Sequence, residues 1–140
     1  MKLTGGCLCG AIRFEADEQP QWIRHCHCVM CRKVSGSAFL TGLLFRVRAI
    51  HWTGKPESYE SSPGFLRTFC SKCGSSLTNE IVHVSDKLYL LLGSFDDPSK
   101  IKIDDNVDHV FSERELEWLH TDDQFPRSEG EKFPKKLVTG

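Results

Sequence analysis

No stretch of this 140-residue sequence approaches the roughly 20 consecutive apolar residues of a membrane span. Residues 1–14 also lack the apolar core of a secretory leader, because Gly5, Gly6, Cys7 and Cys9 interrupt them early. Both absences set the expectation of a cytoplasmic protein with no membrane partner. A basic stripe is missing as well: Lys and Arg total 18 against 19 Asp and Glu, for a formal net charge of −1. Arg24, Arg32 and Lys33 form only a local group. That argues against nucleic acid, whose phosphates call for an extended basic surface. Repeats, low-complexity tracts and linkers are absent too. The chain therefore reads as one domain over residues 1–126, with 127–140 as a charged, Pro134-containing tail, part of the same domain or loosely ordered.

Hydrophobic patterning points to a mainly β fold. Residues 11–16 alternate apolar and polar, as a half-buried strand does. Further strands are expected over 22–28, 38–45, 49–52, 59–60, 65–70, 75–81 and 87–93. Turns are marked by Gly54 with Pro56 and by Pro63 with Gly64. One helix has a start signal: Ser112 with Glu115 three residues on is a capping-box pattern, and Leu116 and Leu119 would share a face. This predicts a helix over 112–120 packed on the sheet.

What the sequence has in excess is cysteine, seven in all. An odd number among reduced thiols argues against a disulfide framework and for metal or thiol chemistry. The groups are Cys7 with Cys9; Cys26, Cys28 and Cys31; and Cys70 with Cys73. Zinc suits them, because its four-coordinate sites take thiolates at about 2.3 Å and tolerate short C-x-C and C-x-x-C loops. Two pairs make a four-thiolate cage, so Cys7, Cys9, Cys70 and Cys73 are the economical structural site. Cys26, Cys28 and Cys31 remain with the ligand count of a catalytic zinc, whose fourth position is open. Two zinc ions per chain follow.

Strand geometry refines this reading. In an extended 25–28 segment Cys26 and Cys28 face one way, while His25 and His27 face the other. His27 is then a poor fourth ligand; His51, His83, His109 and His120 stay open as alternatives. Zinc with three thiolates carries a surplus negative charge and is suited to capturing a soft thiol. Such a thiolate can attack a carbonyl carbon or depart from one. Arg24, Arg32 and Lys33 are candidates to offset the surplus charge and attract an anionic thiol such as glutathione.

Gly6, Cys7, Cys9, Gly10 and Phe14, then Cys26, His27, Cys28, Cys31, Arg32 and Gly36, then Phe69, Cys70, Cys73 and Gly74 resemble the glutathione-dependent formaldehyde-activating enzyme family. That family includes centromere protein V-like proteins. Gly93 to Asp96, His109 and the stretch from Trp118 to Asp123 resemble its later segments. The resemblance implies a β-tent fold of short antiparallel sheets around zinc, with one or two short helices. It also implies a structural zinc on Cys7, Cys9, Cys70 and Cys73 and a catalytic zinc on Cys26, Cys28 and Cys31. The implied activity is carbon–sulfur lyase chemistry, the reversible condensation of formaldehyde with glutathione to S-hydroxymethylglutathione. Arg32, Ser35 and Gly36 match the pattern near the open zinc, either as substrate contacts or as caps of the turn after Cys31. The competing function is a non-catalytic, zinc-stabilised interaction module.

Overall fold

Strand-forming segments and turn residues follow one another along the chain, and a computed structural model of the protein describes residues 2–131. Eleven strands and one α-helix occur among the described residues: β1 (Leu3–Gly6), β2 (Arg13–Ala16), β3 (Trp22–Cys26), α1 (Val29–Ser35), β4 (Leu40–Arg46), β5 (Ile50–Thr53), β6 (Glu57–Ser62), β7 (Phe65–Phe69), β8 (Ser76–Ile81), β9 (Lys87–Leu91), β10 (Val107–Val110) and β11 (Arg127–Ser128). Residues 132–140 of the expected tail lie outside the described residues.

The strands form two sheets. One has three strands in the order β1-β2-β5; the other has eight in the order β11-β10-β3-β4-β9-β8-β7-β6. The pairings are antiparallel except where β10 runs parallel to β3 and to β11. The fold is mainly β, as expected, with the large sheet mixed at one end.

Period-two alternation gives the large sheet two different faces. Ile23, Leu43, Phe45, Leu88, Leu90 and Val107 point to one side and meet Leu3, Phe14, Ala16 and Ile50 of the small sheet in the main core. Phe14 and Phe95 meet edge to face at 5.2 Å, and Phe45 stacks on Phe95 at 6.1 Å. The opposite side carries Arg24, Cys26, Gly42 and Tyr89, and there α1 lies over the sheet.

The single α-helix arises where no helix was expected. Cys28 is its N-cap, accepting the Cys31 amide on sulfur at 3.2 Å, and Gly36 closes it in the left-handed region at φ 67°. Glycine adopts that conformation without the clash a side chain brings. Arg32 and Lys33 sit in the last turn, where cations complement the helix dipole. Ser35 Oγ donates to the Cys31 carbonyl at 2.7 Å, and the Gly36 amide donates to the Arg32 carbonyl at 3.0 Å. Ser35 and Gly36 therefore cap this helix.

The helix expected over 112–120 does not form. A single 3₁₀ turn covers Ser112–Arg114, followed by a bend in which Leu119 N–H donates to the Leu116 carbonyl at 3.2 Å. A capping box needs Glu115 to reach back to Ser112. Instead Glu115 accepts from Arg127 Nε at 2.9 Å, which ties the segment to β11. Leu119 consequently stays exposed.

The main core sets the stability scale. Phe45 is fully buried between the sheets. Phe45→Ala is expected to cost about 3–5 kcal/mol of unfolding free energy, read from urea denaturation; a loss within experimental error would mean the two sheets do not pack through this ring.

Candidate metal centres

The turn after β1 and the loop between β7 and β8 bring Cys7, Cys9, Cys70 and Cys73 together, their sulfurs all within 4.8 Å of one another. Cys7 and Cys9 sulfurs lie 3.6 Å apart, and Cys9 and Cys70 lie 3.8 Å apart across 61 positions of sequence. Sulfurs at about 2.3 Å from a tetrahedral centre are roughly 3.8 Å apart, so this donor set fits one metal ion. Polar hydrogens support the sulfurs: Ile12 N–H donates to Cys7 at 3.3 Å, and Ser75 Oγ lies 3.2 Å from Cys73. Gly74, at φ 76°, lets the chain turn back so that its amide meets the Cys70 carbonyl at 2.8 Å. The cluster packs on Ile12 and Leu77, where it joins the small sheet to the far half of the large one.

Cys26 at the end of β3, Cys28 at the helix cap and Cys31 in α1 form the second group, also within 4.8 Å. Among the described residues no histidine or carboxylate joins this group. The Cys28 thiol is held down to about 2 by hydrogen bonding with the Cys26 and Cys31 thiols and the Cys31 and Met30 amides, and the same bond to Cys28 pushes Cys26 up. Three sulfurs that resist ionising together, yet are held in contact, are a donor set that a divalent cation would relieve.

Of the cations expected to balance this site, Arg24 is matched elsewhere. It is buried and forms a bidentate pair with Asp108, Nε to Oδ1 at 3.0 Å and Nη2 to Oδ2 at 2.9 Å. Arg67 on β7, which the sequence reading did not single out, approaches the site instead. Its Nη2 is 4.0 Å from Cys31 Sγ, Nε donates to Ser61 Oγ at 2.9 Å, and Nη1 donates to Asn79 Oδ1 at 3.1 Å. It is only 7% exposed, and the partners it has among the described residues, Ser61, Asn79 and Cys31, include no carboxylate. A signal existed: Phe65 and Phe69 flank Arg67 at two-residue spacing, which places all three on one face of a strand.

His27 lies on the other face from the trio, as strand alternation predicts. It is buried, and its Nε2 is 2.8 Å from His109 Nδ1. Asp123 accepts from His109 Nε2 at 3.1 Å to both oxygens. The carboxylate thus fixes the proton on His109 Nε2, leaving Nδ1 to accept from His27 Nε2–H. His27, His109 and Glu115 also lie within 4.8 Å of one another. The 2.8 Å separation is that of a hydrogen bond; two nitrogens on one tetrahedral zinc stand roughly 3.3 Å apart. His25 joins this layer through Thr41 Oγ1 at 2.7 Å, and burial pushes it down to about 4. His51 is occupied by Asp17 at 2.5 Å on the surface.

Comparisons with known proteins identify a family for the chain. Residues 2–114 match the family described as glutathione-dependent formaldehyde-activating enzyme. The chain belongs to this family. A Halomonas elongata protein named "Putative glutathione-dependent formaldehyde-activating enzyme" is 32% identical over 90 residues, covering 55% of each chain. A Schizosaccharomyces pombe protein named as an uncharacterized lyase is 32% identical over 73 residues, covering 52% of this chain and 53% of its own. The chain spans about half the length of these curated relatives. The crystal structure of a Rhodobacter sphaeroides protein shares the fold, with a TM-score of 0.55 at 16% identity over 89% of this chain and 99% of that one. No helix among the described residues is long and apolar enough to cross a membrane.

Acid sensitivity follows from the histidine–carboxylate chain. Burial alone would raise Asp123, but hydrogen bonds from Thr121, His109 and the Phe125 amide hold it down to about 2 against an ordinary 3.8. A depressed carboxylate contributes stability that is complete above its unfolded pKa and is lost as pH falls through the folded one. Asp123→Asn is expected to be less stable than the parent at neutral pH and to converge with it between about pH 4 and 2. Urea titrations of both proteins across that range check this; a gap independent of pH would contradict it.

Proposed function

We propose that this chain is a zinc-dependent carbon–sulfur lyase acting on thiol adducts of small aldehydes, such as S-hydroxymethylglutathione made from formaldehyde and glutathione. The observation that carries this reading is the trio of Cys26, Cys28 and Cys31, converged beside a cavity with no fourth donor in the group among the described residues. Cys7, Cys9, Cys70 and Cys73 would hold a second, structural zinc. Zinc in the trio would supply a soft acceptor that keeps a captured thiol deprotonated at neutral pH.

The residues around the trio have separate tasks. Arg67 places a buried positive charge against Cys31, where three thiolates and a divalent ion leave a formal surplus of one negative charge. It also lies where negative charge grows on a carbonyl oxygen as a sulfur–carbon bond forms. The Arg24–Asp108 pair, internally neutral and buried beside Cys26, fixes β3 against β10 without adding net charge. Leu40, Val110 and Phe111 line the cavity with apolar surface and limit water around the reacting sulfur. The histidine chain anchors the backbone between Cys26 and Cys28 from behind. The proposed setting is the cytoplasm, where reduced glutathione is plentiful and thiols stay reduced. The proposed functional unit is the domain of residues 1–126, with 127–140 as its tail.

Two experiments test the division of labour. Cys70→Ser is expected to lose one equivalent of zinc together with most folding stability, whereas Cys28→Ser loses the other equivalent and remains folded. Metal analysis and thermal melts distinguish them; equal unfolding of both variants would remove the structural–catalytic distinction. In the cobalt-substituted protein, glutathione is expected to shift the ligand-field bands of the trio. An unchanged spectrum at saturating thiol would rule out an open, thiol-accepting position.

A further inference from the structure

The cavity that opens onto Cys26, Cys28 and Cys31 measures about 120 Å³. An apolar cavity of about 150 Å³ walled by Leu, Ile and Phe takes up benzene. Here the wall is Leu40, Phe65, Ile81, Val110, Phe111 and the Tyr89 ring. Gly42 makes room for that ring, since a Cβ at this position would come within 3.0 Å of it. A one-carbon aldehyde would leave most of this apolar wall without a partner.

The polar groups of the cavity are chiefly donors. Among the described residues Arg67 uses three of its five N–H groups, on Ser61, Asn79 and the Cys31 sulfur, and two have no partner there. The Tyr89 hydroxyl is buried and has no hydrogen-bond partner among the described residues. Asp108 is engaged by Arg24, and the carboxylate of the exposed Glu131 also lines the cavity. Such a wall suits a compact apolar group bearing one oxygen acceptor. It suits the glutathione half of an adduct poorly, since that half is a long, charged tripeptide whose ammonium and two carboxylates would meet a wall made mostly of hydrocarbon.

We propose that this cavity seats the aldehyde-derived half of the adduct, and that the aldehyde is an apolar one of about benzene size whose oxygen faces the Arg67 guanidinium. This rests on the lyase reading above and names its substrate class. In the lyase direction the adduct's C–S bond breaks with its electron pair going to sulfur. Its hydroxyl releases a proton to water, and the aldehyde C=O forms. Arg67 stabilises the oxygen while it carries negative charge, and the apolar wall holds the substituent.

The test uses benzamide, which has a ring and a carbonyl oxygen but a carbon too unreactive for thiol addition, with formamide as the one-carbon control. Calorimetric titration of the zinc-loaded protein is expected to give benzamide an affinity at least about tenfold above formamide, from the added apolar contact. Ile81→Trp, which fills the cavity, is expected to remove that preference. Met30→Trp fills it from the helix side, and its parent residue is partly exposed, so it serves if Ile81→Trp does not fold. By NMR exchange with glutathione, the parent protein is expected to accelerate adduct formation of benzaldehyde more than that of formaldehyde. Equal affinities for the two amides, or a benzamide preference that survives in the folded filled variants, overturns the cavity assignment. If the cobalt protein still responds to glutathione in that case, the lyase reading stands without it. A silent cobalt spectrum with no acceleration of either aldehyde overturns both.

Discussion

One strand serves two chemically opposite faces, and the rest of the site depends on its register. Along β3, Arg24 and Cys26 point toward the cavity, while Ile23 and His25 point toward the core and the histidine layer. A slip of one residue would exchange these sets. Pairing on both sides prevents it: Cys26 lies opposite Leu40 of β4, and Arg24 lies opposite Asp108 of β10. The second pairing is the more restrictive. Both partners are buried, and leaving one such charge unmatched costs about 3–5 kcal/mol, so few alternative registers could compete.

The two cysteine groups sit differently in this framework. The group of four takes its members from both sheets and closes a loop of 61 positions between Cys9 and Cys70. A metal there would restrain the unfolded chain substantially, since closure entropy grows with loop length. The trio comes from one continuous piece, the end of β3 and the start of α1, and restrains little that the local backbone does not already restrain. This contrast is the physical basis for the proposal that one group serves folding and the other chemistry.

Legibility varied with how local each signal is. β2 to β9 follow from alternation and turn residues, because those features act over a few neighbouring positions. β1 is harder to see: half of it is Gly5 and Gly6, and Gly5 sits where a Cβ would meet the Phe14 ring and the Ser94 carbonyl. β10 carries Asp108 and His109 at positions that are buried only because Arg24, His27 and Asp123 satisfy them. The helix α1 begins on a cysteine, which acts as a cap only because its sulfur is held as an acceptor in the trio. At 112–120 the local capping signal was present, but Arg127 competed for Glu115 and prevailed.

The three tight cysteine clusters, the mainly β class and the family were determined by the sequence itself, since short spacings and period-two alternation are properties of the chain alone; the meeting of Cys7 and Cys9 with Cys70 and Cys73 across 61 positions came with the tertiary structure. Sequence alternation also placed His27 away from the trio. Only the tertiary structure brought Arg67 to Cys31 across 36 positions, aligned Asp108 with Arg24, and shaped the half-open apolar cavity with Tyr89 against Gly42. These relations depend on which strands become neighbours and in what register. That choice is made by the packing of two sheets against each other, and no short window of sequence encodes it.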